Sequence, residues 1–303
     1  QKNESEIRST WNKEKSSRFS SEFVRNYDGK IKDAIKYCNI VHLHNPIVEG
    51  MWYAKRFKKP CVVTVYNWRR IGLNPRLLAW KWTVAQADRR WYISEFVWDS
   101  WEKERKTNSA RLPVVSKMPM KETLPQRRKG FLFIGRWVPN KGIRILLEAY
   151  RQLNPDPKVW PLIMVGDGPL RSEVLATIKN KSIQGVQIPG FVSEAERHRY
   201  TREAKWMVTP PHTKEDLGLT PLESRFVGVP CIATTDGGVK ETAGAHALFC
   251  KPGDVFSLMK CLKTASKMDD AEYLKCTRLT KEGLEQYVRP LDEYTEEYVK
   301  LLN

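Results

Sequence analysis

The sequence predicts an α/β protein built from two doubly wound domains, and three observations carry that expectation. Short apolar, β-branched runs alternate with stretches of helical periodicity, the pattern of parallel β-α-β units whose strands are buried on both faces. The alternation occurs twice, on either side of a Pro-containing basic stretch at 117–129. The chain has 303 residues, 41% hydrophobic and 29% charged, which suits two cores of ordinary size.

Residues 1–21 are polar apart from Ile7, Trp11 and Phe19 and read as a frayed helix or an arm. Phe23, Val24, Tyr27, Ile31, Ala34 and Ile35 recur at helical spacing, so a helix is expected up to Tyr37. Asn39 to His44 reads as a short strand closed by Asn45-Pro46, and Val48 to Phe57 as a helix. The run Cys61 to Tyr66 is strand-like. A helical stretch follows to Ala87, then a strand at Arg90 to Ile93, a helix from Glu95 to Lys106 and a strand at Leu112 to Val115. The linker is expected at Lys117 to Lys129, with Pro119, Pro125 and the run Arg127-Arg128-Lys129. Beyond it the apolar runs place strands at 131–134, 162–165, 186–188, 206–208, 231–233 and 247–249. A last helix covers Leu291 to Leu302, with Leu291, Tyr294, Tyr298, Leu301 and Leu302 on one stripe.

Mean hydropathy is −0.53, and no apolar run approaches the roughly 18 residues of a membrane span. The chain opens on Gln1-Lys2-Asn3-Glu4 without an apolar signal-peptide core, and reads as a processed chain or a fragment of a cytoplasmic protein. Its six cysteines are widely spaced with no C-x-x-C pair, which fits reduced core thiols. The five histidines show no metal-ligand spacing beyond His42 and His44, so no metal site is expected.

The formal net charge is +17, and it is unevenly shared. Residues 1–127 hold 26 basic and 13 acidic side chains and eight of the eleven tryptophans. Between 51 and 90 there are ten basic residues and a single acid, Asp88. Basic side chains interleaved with Trp suit an anionic partner: lipid headgroups, an acidic glycan or nucleic acid. A solvated basic face over a Trp-rich core is the plain alternative.

In the second half, unusual residues stand where strands end, which is where doubly wound sheets bind ligands. Gly135-Arg136-Trp137-Val138-Pro139-Asn140-Lys141-Gly142 combines a glycine turn, two cations and a helix start, an anion site in outline. Gly166-Asp167-Gly168-Pro169 and Gly190-Phe191-Val192 follow the next two strands, each no more than a turn by itself. The stretch Glu215-Asp216-Leu217-Gly218-Leu219-Thr220-Pro221-Leu222-Glu223 carries more. Its free N–H groups ahead of Pro221 can bind phosphate, and an acid on the following helix can accept hydrogen bonds from a sugar diol.

Gly135-Arg136-x4-Lys141-Gly142, Gly166-Asp167-Gly168-Pro169, Gly190-Phe191-Val192, Glu215-x7-Glu223 and Gly237-Gly238-Val239-Lys240-Glu241 together resemble, in order and spacing, the retaining family-four glycosyltransferases. The resemblance covers residues 36–303 and is strongest at 130–255. It implies the GT-B fold, two Rossmann-like domains facing each other across a cleft. The expected division is an acceptor-side domain at 1–127, completed by a C-terminal helix at 287–303 that crosses back to it, and a nucleotide-sugar domain at 128–286.

The resemblance further implies that Arg136 and Lys141 neutralise the donor diphosphate and the charge that grows on it, and that Glu215 binds hydroxyls of the transferred sugar. Glu223 would hold the ribose hydroxyls. Backbone at Gly218, Leu219 and Thr220 would cradle the distal phosphate, and backbone at Phe191 and Val192 would face the base. Gly135, Gly166 and His212 complete the expected donor site. No cofactor besides the nucleotide-diphosphate sugar co-substrate, no metal and no protein nucleophile are implied, because in front-face displacement the leaving phosphate deprotonates the acceptor.

This chain departs from the family pattern at several points. Tyr66 and Asn67 stand where a His is common, and His212 where a Ser is common. Val115-Ser116-Lys117-Met118-Pro119 replaces the usual Asn-Gly-Val-Asp segment. Before the His42 strand there is no further strand or Gly-rich turn, which suggests a fragment, a naturally reduced first domain or one completed by a second chain.

The leading functional expectation is therefore a retaining, metal-independent hexosyltransferase using a nucleotide-diphosphate sugar. Its acceptor would be an anionic glycolipid or polysaccharide, met by peripheral contact at the inner face of a membrane. His44, Tyr66, Asn67, Arg69, Arg70, Arg76, Trp80 and Trp82 are the candidate acceptor- or membrane-facing residues. A nucleic-acid-binding protein or a transferase acting on nucleic acid rests on charge alone. One half of a split or non-catalytic enzyme rests on the missing opening strand.

Overall fold

The computed structural model describes residues 30–70, 72, 74–112, 123–288 and 291–302. The expected arm at 1–21, the start of the helix from Phe23, residues 113–115 of the expected fourth strand and the linker up to residue 122 lie outside the described residues.

Two all-parallel sheets organise the chain, one in each of two Rossmann-like domains. The first has strands β1 (Val41–His44), β2 (Cys61–Val65), β3 (Arg89–Tyr92) and β4 (Ser109–Arg111), in that spatial order. Helices α1 (Ile31–Tyr37), α2 (Val48–Arg56), α3 (Pro75–Gln86) and α4 (Glu95–Trp101) alternate with them. Every residue of β2 is buried, as its nearly continuous apolar run, broken only by Thr64, suits in a central strand. Its core joins Val41, Leu43, Val63, Val65 and Tyr92 to Ile35, Met51, Ala54 and Val97 from the helices.

The structure corrects two boundaries here. Helix α4 stops at Trp101, five residues before the expected end at Lys106. Glu102 leaves helical geometry because its carboxylate turns inward, accepting from Tyr92 Oη, Trp98 Nε1, Ser109 Oγ and Arg90 Nη1 at 3.0–3.3 Å. A buried acid needs its donors more than a helix needs another turn. The same network draws Ser109 against β3, where it pairs with Arg90, so β4 begins three residues before the expected Leu112.

The second sheet has strands β5 (Lys129–Ile134), β6 (Leu162–Val165), β7 (Val186–Gly190), β8 (Ala204–Thr209), β9 (Cys231–Thr234) and β10 (Leu248–Cys250). Their order is β10-β9-β8-β5-β6-β7, which reverses direction between β5 and β8. That reversal opens a crevice at the carboxyl ends of those two strands. Helices α5 (Ile143–Leu153), α6 (Arg171–Asn180), α7 (Glu194–Glu203), α8 (Leu219–Phe226), α9 (Val239–Ala243), α10 (Val255–Lys267) and α11 (Asp270–Leu279) cover the sheet. One face is packed around Phe131, Phe133, Leu146, Tyr150 and Leu262, the other around Leu132, Met207, Val227 and Ala233.

The last helix, α12 (Leu291–Val299), lies against the first sheet. Tyr298 Oη shares a 2.7 Å hydrogen bond with His42 Nδ1, the Tyr294 and Tyr298 rings pack on Trp91, and Glu297 pairs with Arg89 at 3.2 Å. All six cysteines are free thiols, and Cys61, Cys231 and Cys250 are buried in the cores.

Candidate active site

The loops after β5 and β8 meet at the crevice because of one glycine. Gly142, at φ 73°, is the left-handed cap residue just before α5, and a Cβ there would stand 1.8 Å from the Pro210 carbonyl oxygen. Only glycine accepts that backbone and that approach. Gly166 plays the same part between β6 and β5: a Cβ would lie 2.0 Å from the Gly135 carbonyl oxygen.

These contacts bring Lys141, in a short 3₁₀ turn at Pro139–Lys141, against Glu215 in the loop after β8. Lys141 Nζ donates to Glu215 Oε1 at 2.6 Å, and the Glu215 side chain is only 9% exposed. Arg136 is exposed beside them, and among the described residues its guanidinium has no hydrogen bond or ion pair. A cavity of about 710 Å³ opens between the two domains here. Arg136, Lys141, Glu215 and Leu219 line it from the second domain, and Tyr66, Asn67 and Ile93 from the first, with Tyr294 of α12. One unpaired guanidinium and a lysine that holds a largely buried acid suit a doubly charged diphosphate attached to a polyhydroxylated group.

The sequence reading missed how firmly the two domains are joined at this point. Asp216, one residue past Glu215, accepts from the Trp68 N–H at 2.7 Å and from Asn67 Nδ2 at 3.2 Å. Ser94 Oγ donates to the Asp216 carbonyl at 2.6 Å while accepting from Val97 N–H as the cap of α4. Glu241, on α9, accepts from the N–H groups of Glu95 and Phe96 at 2.9 and 2.6 Å. The first three free N–H groups of α4 thus find acceptors, two of them across the domain boundary. Leu217 completes the seam by inserting into the first domain's core. Burial pushes the Asp216 and Glu241 carboxyls up, against the pull of their N–H donors. Asp216 and Glu241 both stood inside quoted motifs, but nothing in one-dimensional spacing says that their side chains reach another domain.

Other expected residues fall into separate groups. Gly135, Gly166, Gly218 and Thr220 form the turns and helix start around the cavity without lining it. His212 is exposed, its N–H donating to the Asn140 carbonyl at 3.2 Å. Phe191 is 88% exposed and Val192 half-buried, just after β7. Glu223, one turn into α8, is not among the cavity-lining residues and forms an ion pair with Arg197 of α7. On the first domain, His44 Nδ1 and Tyr66 Oη share a 2.8 Å hydrogen bond, and the His42 and His44 rings stack at 4.3 Å. Burial, helped by His44, holds the His42 imidazole down at about 3, and burial lowers His44 as well.

Arg69, Arg70, Arg76, Trp80 and Trp82 do not line the cavity, but the Arg70 charge reaches Asp216, which does. The Arg69 N–H donates to Ser100 Oγ, Arg76 stacks on Trp80, and Trp82 and Leu78 are exposed on α3, as is Trp52 on α2.

The family model described as Glycosyl transferases group 1 matches residues 115–284. A 2-deoxystreptamine N-acetyl-D-glucosaminyltransferase of Niallia circulans is 26% identical over 251 residues, 71% of this chain and 64% of that protein. The chain thus spans less than two thirds of this relative's length. The crystal structure of a glycosyltransferase from Rickettsia africae superposes with a TM-score of 0.75 at 16% identity, covering 98% of this chain and 88% of that one. The Anabaena protein HepE, solved with UDP and glucose, gives 0.73 at 14% identity, covering 90% and 80%. At such identities the likeness is one of fold, and the fold is GT-B.

Proposed function

The chain belongs to the group 1 glycosyl transferases, and from that membership we propose that it moves a sugar from a nucleotide-diphosphate donor to a hydroxyl acceptor with retention of configuration. The observation that carries this reading is the convergence of Arg136, Lys141 and Glu215 on one interdomain cavity at the switch point of the second sheet. The donor diphosphate lies against Arg136, Lys141 and the N-terminus of α8. Lys141 has three N–H donors, so it can hold Glu215 and a phosphate oxygen together. Glu215 in turn accepts from hydroxyls of the sugar, and Glu223 from the ribose diol.

In the transfer step the bond from the anomeric carbon to the phosphate oxygen breaks, and a bond to the acceptor oxygen forms on the same face. The departing phosphate takes the acceptor proton. Arg136 and Lys141 stabilise the charge left on the diphosphate, so the chain's own cations do the neutralising. Tyr66 and Asn67 face the acceptor side. The exposed Trp52, Leu78 and Trp82, with Arg56 over Trp52 and Arg76 over Trp80, support an acceptor held at an anionic membrane surface.

A thermal-shift panel of UDP, GDP, ADP and their sugar conjugates tests the donor site. One nucleotide family is expected to raise Tm in the wild type and to lose that effect in Glu223→Ala and Lys141→Ala, with the unliganded fold intact. Undiminished shifts in both variants would refute the residue roles.

A further inference from the structure

Helix α7 carries an arginine where its geometry calls for an inward-facing side chain. Thr201 is buried and donates its hydroxyl to the Arg197 carbonyl at 2.8 Å, four residues back, so the two positions share the side turned toward the sheet. Arg199 and Arg202 sit on the same helix, and Arg199 stacks on Tyr200 and pairs with Glu203 at the surface. Arg197 instead reaches α8 and donates through Nη1 to Glu223 Oε2. Its side chain is 28% exposed and that of Glu223 15%. The other terminal nitrogen stands 3.3 Å from His198 Nε2 and 3.9 Å from Glu194 Oε1, so the guanidinium is steadied from its far side as well.

A charge-assisted bond from a planar donor to one oxygen restrains the carboxylate and leaves its second oxygen for another donor. Glu223 Oε1 has no hydrogen bond among the described residues. A ribose 2′,3′-diol offers two O–H donors, and a carboxylate retains enough lone pairs for both once arginine has taken one. The capping box of Ser193 and Glu196 anchors the start of α7, so the arginine is presented from a fixed helix.

We infer that Arg197 is the positioning residue that aims Glu223 at the ribose diol, and that it thereby sets discrimination between ribonucleotide and 2′-deoxyribonucleotide donors. The inference rests on the proposed ribose role of Glu223. Loss of one hydrogen bond to a charged group corresponds to about a tenfold change in affinity.

Isothermal titration of UDP, GDP and ADP, each against its 2′-deoxy counterpart, tests this on the wild type, Arg197→Met, Arg197→Lys and Glu223→Ala. The wild type is expected to prefer the ribonucleotide by about tenfold or more. Arg197→Met and Glu223→Ala should both bring that ratio near one, and Arg197→Lys should restore part of it. A helix-stabilising role alone would lower Tm in Arg197→Met without touching the ratio, and that result overturns the inference. A wild-type ratio in Glu223→Ala overturns the ribose role itself, as does failure of all three nucleotides to bind the wild type.

Discussion

Acidification should weaken this protein through His42, and the size of the effect follows from where the ring sits. Its two nitrogens are bonded to hydroxyls, Nε2 to Thr64 Oγ1 and Nδ1 to Tyr298 Oη, each at 2.7 Å. Hydroxyls donate or accept, so they suit a neutral ring with one N–H and one bare nitrogen. A charged ring would be desolvated between the sheet and α12, next to His44. The folded imidazole is accordingly held at about 3, against 6.5 for a free one. Below pH 6.5 the unfolded chain binds a proton that the folded chain refuses, so stability falls as pH drops from there toward 3. At pH 5 the gap is one and a half pH units at about 1.4 kcal/mol each, or about 2 kcal/mol, and roughly 4 °C in Tm. His44 adds to the loss, while Asp216 and Glu241, whose carboxyls are raised, act in the opposite sense. The comparison is therefore made between variants. His42→Gln keeps a donor and an acceptor but does not titrate. In calorimetric scans from pH 7.5 to 5, the wild type should lose about 4 °C more than His42→Gln. Parallel slopes would refute the reasoning, because they would show that the imidazole charges in place.

Two further outcomes follow from the same structure. Glu241→Ala strips the acceptor from two N–H groups of α4 and should cost about 1–3 kcal/mol in a thermal scan, with Glu241→Gln recovering part of it; a change under about 0.5 kcal/mol would mean the interdomain cap carries little. Reversing Arg69, Arg70 and Arg76 to Glu should lower binding to phosphatidylglycerol vesicles by about a hundredfold or more, at about 1 kcal/mol per basic residue, and leave neutral vesicles unaffected; unchanged cosedimentation would remove the membrane surface from the proposal.

Much of the architecture was legible in the residues. Strand β6 lies where its apolar run ends on both sides, and β2 differs from expectation only at Tyr66. Burial on both faces writes itself as uninterrupted hydrophobicity, and glycines mark where backbones approach. The pairing of motifs was legible too, since Arg136, Lys141 and Glu215 stand at strand ends that a doubly wound sheet must bring together. What failed at the sequence level failed for one reason: a polar side chain's partner is not given by its neighbours in the chain. Helix α4 ends early because Glu102 finds Tyr92 and Ser109, and the periodicity of 95–106 contains no trace of them.

The site shows the same division. By itself the sequence determined which residues carry charge at which strand ends, and so the class of chemistry the cleft can hold. Only the tertiary structure decided that Lys141 spends its charge on Glu215, that Arg197 holds Glu223, and that Asp216 and Glu241 reach across to cap the other domain. Local periodicity follows from backbone geometry that repeats every two or 3.6 residues. Ion pairs and interdomain caps depend on distances between residues far apart in sequence, 149 positions for Asn67 and Asp216, which only the closed packing of two sheets sets.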